Sequence, residues 1–551
     1  MQDSKSPTVE QIESIPTTGM DAPTHHLDGT VQLVSDQGVI LIPTPSSDPR
    51  DPLNIPLWQK LVILGTTCLY STMGLTAVSG LGGILGVFIP TYAAQGKTYA
   101  DISNLMTFPS LFMGIGNMIS MPLALALGRR PVFLGSCVIQ VVALILCATN
   151  QGYAWHFAAR CILGLAAGQS EALCPLMISE VFFLHERGRY QQLFSSIQTI
   201  ISGTLIILTS YIASTVGWRA WYYLFAGFSG LVLVLATFFV PETKYVRSLA
   251  AYEGMGAEKD GIETAAARSD VENPKQAQQF MTVHDERVLD TVNYRPRTRA
   301  SDMALFVNDA DWSEAFSCIK HQCQLFFFPD VFWVFSTNGV FLGVNIAMGL
   351  TYGNILGGEV YHWAHQYISI AMAGQIVVAF VCIPMLGYGS DFIVKFMARR
   401  KGGVHEPEHR LLTLIVPLLL GILFSVIYGQ AAAFPEKYHW MAIVITVNGY
   451  FFTFIGANTA GITYLLDAYP TRGASCLVMI CAMRGVISFA LSYGTVSLYS
   501  KHGYDGAFGL FGGITAVCGA LGVVIYFTGK RIRNFVSPWT QIENTSKATM
   551  G

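Results

Sequence analysis

Two charged side chains stand in an otherwise apolar stretch, RCILGLAAGQSEALCPLMI, which begins at Arg160 and contains Glu171. In one continuous helix, eleven residues amount to three turns plus ~20° and ~16 Å of rise, so both side chains share a face without pairing. Charged residues inside membranes usually face a bundle interior or an aqueous cavity. The pattern predicts that Glu171 binds a proton or a cationic substrate and that Arg160 lines the same cavity. The alternative for both is a fixed hydrogen bond to a neighbouring helix.

A second candidate group consists of Asn338, Asn345 and Tyr352, which follow one another at seven-residue spacing. Seven-residue steps drift by only ~20° on a helix, so these side chains line one face. A stripe of amides and an aromatic ring suits an organic ligand, whose apolar area is buried while its polar atoms are anchored. Hydrogen bonding between helices uses the same residue types and is weighed equally.

Arg484 and Asp467 lie towards the end of the chain, in MICAMRGVISFAL and LLDAYPTR. Arg484 is a candidate for contact with a substrate anion, or for a bridge to Asp467 or another acid. We favour the bridge, because long cationic side chains near a helix end can reach the interface. Asp467 is expected to act at a gate.

The composition places these residues in a membrane protein. Of the 551 residues, 52% are hydrophobic and 12% charged, with a mean hydropathy of +0.45, whereas soluble domains carry roughly 25% charged residues. A net charge of −2 without a basic block argues against a nucleic-acid partner. The 11 cysteines suggest no disulfide framework, and Cys318, His321 and Cys323 match zinc ligation only weakly.

Apolar runs long enough to cross a bilayer, which takes ~20 residues, occur in two groups of six. The first group lies at 61–89, 102–127, 131–149, 155–180, 190–214 and 219–240. The second lies at 331–357, 367–389, 411–431, 440–466, 474–498 and 507–528. We therefore expect an all-α polytopic membrane protein of about twelve transmembrane helices in two six-helix halves. The runs are continuous rather than alternating, which excludes a β-barrel.

The polar segments divide the chain further. We expect a disordered cytoplasmic tail over 1–56, an N-terminal half over 57–240, a cytoplasmic linker over 241–328, a C-terminal half over 329–529 and a cytoplasmic tail over 530–551. The end of the linker, DWSEAFSCIKHQCQLFFF, predicts a short amphipathic helix on the membrane surface. Lys and Arg concentrate on the side that carries both termini and the linker, so that side is expected to be cytoplasmic.

Basic turns follow the second span of each half, LGRRPVF and GYGSDFIVKFMARRKGG. They resemble the cytoplasmic loop motif of the major facilitator superfamily, in which a glycine and an acid precede a Gly-Arg-Arg type cluster. The resemblance assigns gating roles to residues of both turns: Arg129, Arg130, Asp391, Arg399 and Arg400. Leu125 stands where the first acid is expected, so Glu180 or Glu186 is expected to supply it.

Other stretches resemble the fungal drug:proton antiporter-like branch, which also contains polyamine and cation transporters. These are DPLNIPLWQK, FFLHERG, GWRAWYYLF with PETKY, HEPEHRL and TYLLDAYPTRGAS. Within this resemblance Arg160 matches the arginine of the fourth span, and Glu171 matches an acid common in the branch. The Gly-Pro motif that the family associates with antiport is absent from ISGTLIILTSYIAS. The resemblance therefore leaves the direction of transport open.

We expect a secondary-active, proton-coupled transporter of a small organic molecule that works by alternating access. Efflux of drugs or secondary metabolites is slightly preferred to uptake of a polyamine-like cation or another nutrient. A nutrient sensor with a transporter fold is the alternative of another class. No phosphate-binding Gly-Lys-Ser/Thr loop and no hydrolase motif occurs, so neither ATP-driven transport nor an enzyme is expected.

The expected partners are the substrate, protons and the lipid bilayer. The chain is expected to be monomeric and to need no cofactor or metal. The plasma membrane is the preferred location, and the vacuolar membrane is the alternative.

Overall fold

The computed structural model describes residues 43–149, 151–245, 296–307, 309–382, 407–469 and 472–548, with isolated positions at 34–35, 38–39, 41, 294 and between 385 and 397. Asp391, Arg399 and Arg400 lie outside the described residues, as do positions 1–33 of the predicted tail and most of the predicted linker.

Helices dominate the described part of the chain. A short antiparallel hairpin, β1 (Val34–Ser35) and β2 (Gly38–Val39), precedes them. The N-terminal helices are α1 (Leu57–Ser79), α2 (Leu85–Ala93), α3 (Tyr99–Leu127), α4 (Arg129–Ala148), α5 (Tyr153–Ala167), α6 (Leu173–Val181), α7 (Leu184–Ile212) and α8 (Trp218–Phe239).

Two further helices belong to the linker, α9 (Arg299–Met303) and α10 (Trp312–Phe326). The C-terminal helices are α11 (Pro329–Leu356), α12 (Gly374–Cys382), α13 (Ile415–Ala433), α14 (Trp440–Ala468) and α15 (Gly473–Ala548). Short 3-10 segments extend three of the spans, at Gly80–Ile84, His365–Ala373 and Pro407–Leu414.

Ten segments of the described chain are long and apolar enough to cross a bilayer, and two of them are too long for one crossing. The segment Arg189–Phe239 has 51 residues. Within it, the Trp221 indole donates a hydrogen bond of 3.1 Å to the Thr209 hydroxyl, although twelve residues of straight helix would separate them by ~18 Å. The chain therefore reverses between α7 and α8, where Gly217 has a φ of 107° that glycine adopts without strain.

The segment Ser475–Val536, with 62 residues, reverses in the same way. Trp333 and Gly339 lie only ~9 Å apart on α11. Even so, Trp333 donates to the Cys518 carbonyl at 2.8 Å, and a Cβ on Gly339 would lie 2.6 Å from Ile487. A straight helix would separate residues 487 and 518 by ~46 Å. The turn falls at Gly503, whose φ is 73°. Two reversals within ten segments give twelve crossings, which confirms the predicted all-helical architecture.

The two ends of the bundle differ in charge. We call the end with Arg129, Arg130, Lys244, Arg410 and Arg472 the basic end. The other end, which carries Lys97, Gly217 and Gly503, is the opposite end.

The fourth span is present, as predicted for 155–180, but it is not one continuous helix. After α5 the chain forms a 3-10 turn, Gly168–Ser170, and α6 begins only at Leu173. The physical cause is Pro175, because a proline ring inside a helix clashes with the carbonyl four residues earlier, here that of Glu171. Freed from the helix, this carbonyl accepts a hydrogen bond of 3.4 Å from the Cys481 thiol. The shared-face argument for Arg160 and Glu171 therefore fails across the break.

Small residues bring α3 and α5 into backbone contact. A Cβ on Gly116 would lie 2.4 Å from the Leu165 carbonyl oxygen, and one on Gly164 would lie 2.5 Å from that of Pro109. Van der Waals packing between close backbones is a main source of helix association in membranes. These glycines therefore fix the distance between the second span and the fourth, which carries the break.

Gly116→Ala should destabilise the protein. The new methyl group would meet backbone rather than a mobile side chain, and over-packing of this kind costs about 1–3 kcal/mol, more than the gain in helix propensity of about 1 kcal/mol. Thermal unfolding of the purified protein in detergent measures the effect. Gly135→Ala on α4, where no atom lies within 4 Å, is the matched control and should not lower the melting temperature. Equal melting temperatures for the two variants would contradict the close approach.

Candidate functional site

A buried ion pair joins the two halves at the break in the fourth span. The Glu171 carboxylate, on the turn before α6, pairs with the Arg484 guanidinium of α15. The Arg484 and Glu171 side chains are 4% and 17% exposed. Arg484 also donates to the Asn458 side-chain oxygen at 2.7 Å and lies over the Phe454 ring at 5.9 Å. Arg484 is buried and Glu171 keeps only limited contact with solvent, so each charge depends largely on the other for compensation.

Arg484 thus bridges to an acid, and that acid is Glu171 of the other half rather than Asp467. The Asp467 carboxylate pairs with Arg410, next to α13 in the same half. No sequence spacing indicates the Glu171–Arg484 pair, because the two residues are separated by most of the chain.

Unpaired amides accompany the ion pair. Asn117 on α3 is fully buried, and neither of its side-chain polar atoms has a hydrogen-bond partner among the described residues. It lies one turn from Met113, whose carbonyl contacts Gly168, and one turn from Met121, which packs against Ala172. Asn117 therefore faces the broken turn. Asn117 was not among the predicted site residues, and its only sign in the sequence is that an amide stands in an apolar span.

Three more polar atoms near the interface are buried without a partner in the described structure: the Gln169 Oε1, the Asn338 Oδ1 and the Arg484 Nε. A buried polar group without a hydrogen bond costs about 1–3 kcal/mol. Such groups are therefore expected to bind water or the polar atoms of a substrate. Gln169 belongs to the 3-10 turn itself and was not predicted.

Arg160 is placed differently from Glu171. It is fully buried, and its three nitrogens donate to backbone carbonyls: Nε to Leu105 at 2.9 Å, Nη1 to Ala77 and Nη2 to Val78 at 2.8 Å. These bonds connect α5 to α3 and to the end of α1. The structure thus shows the fixed hydrogen-bonding arrangement that was the alternative for Arg160.

His156, one turn before Arg160 on α5, is also fully buried. Its two ring nitrogens each form a hydrogen bond of 2.8 Å, to the hydroxyl groups of Tyr92 and Tyr222. The network connects three spans through side chains that the sequence did not single out. Because both nitrogens are satisfied, it is a packing element of the N-terminal half.

The stripe on α11 is divided between two environments. Asn338 is buried against Gly461 of α14, where a Cβ would lie 2.7 Å from its amide nitrogen. Asn345 is half-buried. Tyr352 is buried near the opposite end, where a Cβ on Gly82 would lie 3.5 Å from its ring. Only Asn338 combines burial with an unpaired polar atom.

At the opposite end, backbone and hydroxyl contacts join the halves. A Cβ on Gly82 would lie 2.5 Å from the Gly349 carbonyl oxygen. The Ser210 and Ser369 hydroxyls are 2.6 Å apart, and the Tyr99 hydroxyl donates to the Leu350 carbonyl at 2.8 Å. The residues pair one half with the other in each case. We call this set of contacts the opposite-end seal.

At the basic end, the pairs Arg129–Glu180 and Arg410–Asp467 each lie within one half. Glu180 on α6 accepts two hydrogen bonds from Arg129, at 2.7 and 3.0 Å, so Glu180 is the acid that pairs with this arginine of the first basic turn. Glu242 accepts from the backbone N–H groups of Arg129 and Arg130 at 2.9 and 3.2 Å. A carboxylate there stabilises the positive end of the α4 dipole. Sequence analysis did not single out Glu242.

Arg130 donates to the Val240 and Thr237 carbonyls, each at 2.7 Å, and so links α4 to the end of α8. Among the described residues, no group of His, Cys, Asp and Glu could hold a metal ion. Cys318 is buried and Cys323 is exposed, so they face different ways on α10. Burial raises the pKa of the Cys318 thiol, which disfavours the thiolate that zinc requires.

Comparison with known proteins gives a consistent result. The family described as Major Facilitator Superfamily matches residues 70–493. An uncharacterized MFS-type transporter of Schizosaccharomyces pombe is 23% identical over 92% of this chain and 90% of the relative. Protein HOL1 of Saccharomyces cerevisiae is 21% identical, with 92% of each chain covered. Efflux pump FUB11 of Gibberella moniliformis is 22% identical over 87% of this chain and 74% of the pump.

Two solved structures share the fold. The xylose transporter XylE from E. coli, in a partially occluded inward open conformation, has a TM-score of 0.54 at 14% identity. The match covers 85% of this chain and 98% of XylE. The human organic anion transporter MFSD10 has a TM-score of 0.53 at 12% identity, and the match covers 85% of this chain and 100% of MFSD10.

Arg160→Lys should lower stability rather than substrate affinity. A lysine presents its donors from one nitrogen and cannot reach three separate carbonyls as the guanidinium does, and each orphaned carbonyl costs about 1–3 kcal/mol. Thermal unfolding and substrate binding are measured on the same preparation. Arg219→Lys, at an exposed position on α8, is the control. A variant with unchanged melting temperature and strongly weakened substrate binding would contradict the structural role.

Gly82→Ala should open the opposite-end seal, because the methyl group would meet the Gly349 backbone. Spin labels at the exposed positions 215 and 367 of the two halves report their separation by pulsed electron resonance, and the distribution should shift to longer distances. Gly86→Ala is the matched control, since its nearest neighbour would be a His365 ring atom at 3.6 Å. Unchanged distances in the Gly82 variant would show that the seal does not depend on this contact.

Proposed function

Because the chain belongs to the major facilitator superfamily, we propose that it is a proton-coupled secondary transporter of a small organic molecule, with Glu171 as the proton site. The observation that carries the proposal is the buried pair between Glu171 and Arg484, which links the halves beside unpaired buried amides. A proton-coupled transporter needs a group whose protonation changes the contact between its halves, and the Glu171–Arg484 pair supports Glu171 in that role.

Protonation of Glu171 would remove the compensating charge from Arg484. Breaking a buried ion pair by losing one partner costs about 3–5 kcal/mol. A change of about 3 kcal/mol shifts an equilibrium between two conformations by roughly 100-fold, which is enough to favour a different arrangement of the halves. Arg484 would then lack a charged acceptor for its hydrogen bonds. A polar atom of the substrate can take the place of the Glu171 carboxylate.

The charges in the site bear on the class of substrate. Glu171 is already neutralised by Arg484, and Arg160 is bound to backbone carbonyls away from this pair. The remaining unpaired groups, on Asn117, Gln169 and Asn338, are neutral donors and acceptors. This set favours a neutral or weakly acidic organic molecule with carbonyl or hydroxyl groups. A polyamine-like cation would need Glu171 released from Arg484 and is the second candidate.

Efflux is the proposed direction, supported by relatives named as efflux pumps, such as FUB11. The basic end is proposed to face the cytoplasm because Lys and Arg collect on cytoplasmic sides, and the plasma membrane is the proposed location. Residues Arg129, Arg130, Glu180 and Asp467 are proposed to act in gating by keeping each half rigid at that end. The same role is proposed for Asp391, Arg399 and Arg400.

A substrate panel on cells with and without the protein, measured for both accumulation and efflux, tests the transport function. Counterflow in proteoliposomes then separates a transporter from a sensor, because a sensor that lacks transport exchanges no labelled ligand. Failure of every compound to exchange would leave the sensor as the better explanation of the fold.

Glu171→Gln should abolish proton-dependent transport, because the amide neither titrates nor compensates Arg484. Transport into proteoliposomes is measured against an imposed pH gradient. Glu359→Gln, at an exposed acid, is the control and should retain full activity. Normal transport by the Glu171 variant with an unchanged pH profile would rule out its coupling role.

The combined variant Glu171→Gln with Arg484→Gln keeps this test valid if the single variant folds poorly. Removing both charges leaves no uncompensated ion, so much of the lost stability should return. Proton coupling should remain absent. A double variant that regains a pH-dependent rate would place the proton site elsewhere.

A further inference from the structure

The linker helix α10 lies across the basic end of the bundle. Near its start, the Asp311 N–H donates to the Ala126 carbonyl at the end of α3, at 3.1 Å. At its other end the chain passes through Phe328 directly into α11. Both ends of α10 therefore lie at the basic end, and its 15 residues span ~22 Å along that face. The helix runs along the membrane plane rather than through it.

Side chains divide α10 into three arcs. The buried arc, which faces the bundle, holds Ala315, Cys318, Gln322 and Leu325. The second arc is polar and includes Ser313, Ser317, Lys320 and Gln324. The third is apolar and exposed, and we call it the apolar arc: Trp312 is 52% exposed, Phe316 71%, Ile319 45% and the adjoining Phe327 75%. At 100° per residue these four side chains fall within about 80° of one another.

Contacts to both halves fix the rotation of α10. Glu314 pairs with Lys244 at 2.9 Å, and Lys244 in turn donates to the Leu125 carbonyl of α3 in the N-terminal half. Gln324 accepts a hydrogen bond of 3.0 Å from Arg472 of the C-terminal half. Because the helix is held at both ends, the direction of the apolar arc is set by the protein and does not result from a freely rotating segment.

We propose that the apolar arc of α10 is a membrane-binding surface, which inserts at the boundary between lipid headgroups and acyl chains in the leaflet at the basic end. Continuity with the transmembrane surface identifies this occupant. The Phe326 ring contacts that of Phe332 at 6.1 Å, and Phe332 is 49% exposed on the lipid-facing side of α11. An in-plane helix with one apolar and one polar side is the form that interfacial helices take.

The segment before α10 extends the same surface. Met303, Leu305, Phe306 and Val307 are between 42% and 61% exposed, which is unusual for a polar linker in water. Because α10 contacts both halves, the leaflet would hold the connection between them at a fixed depth. The inference is independent of substrate and coupling.

Spin labelling of the full-length protein in phosphatidylcholine nanodiscs tests the proposal. In a Cys323→Ser background the other ten cysteines are buried, so labels can be directed to Phe316→Cys in the apolar arc and to Ser317→Cys in the polar arc. A label at Phe332→Cys is the lipid-facing reference. The label at 316 should collide several-fold more with oxygen than with a water-soluble nickel chelate, as at 332, and the label at 317 should show the reverse.

Other outcomes overturn the proposal. A label at 316 that meets the chelate as readily as the label at 317 would show that the arc faces water. A label at 316 shielded from both agents would show that a protein partner or a second copy covers it. Ile319→Cys, in the same arc, replaces Phe316→Cys if the latter fails to fold.

Discussion

The contact between Glu171 and Arg484 is the constraint on which the centre of the molecule depends. A single charge at this depth would be costly, and the two charges come from different halves, so the halves compensate each other. The contact depends on the break in the fourth span. In a continuous helix the Pro175 ring would clash with the Glu171 carbonyl, and the turn that forms instead places Glu171 next to α15. One local incompatibility thus produces the connection between halves.

Arg160 shows the opposite way to bury a charge in the same span. Its guanidinium is compensated by backbone carbonyls of α1 and α3, which cannot titrate and do not move apart without unfolding. Glu171 is compensated by a side chain of the other half, so this partner can be lost when the halves move apart. The two charges differ in the kind of partner, and this difference is why Glu171 rather than Arg160 is proposed as the coupling residue.

Hydropathy was sufficient to predict the spans, because the requirement for ~20 apolar residues acts on each segment separately. The helix α10 was also predictable, because its amphipathic pattern lies within one short segment. The Glu171–Arg484 pair was not, since it arises between halves and no spacing records it. The break could have been inferred from Pro175, and overlooking it led to the shared-face error. Asn117 was visible as an amide in an apolar span, but its unpaired state depends on what surrounds it in three dimensions.

The contacts at the two ends also differ in kind, and this bears on how the halves can move. Gly82, Gly349, Ser210 and Ser369 join the halves at the opposite end through short, uncharged contacts. Such contacts depend on close fit and are lost together when the halves separate by a few ångströms. The ion pairs described at the basic end, such as Arg129–Glu180, lie inside one half and survive the same motion. A rocking movement about the central pair would therefore break the seal while leaving each half intact.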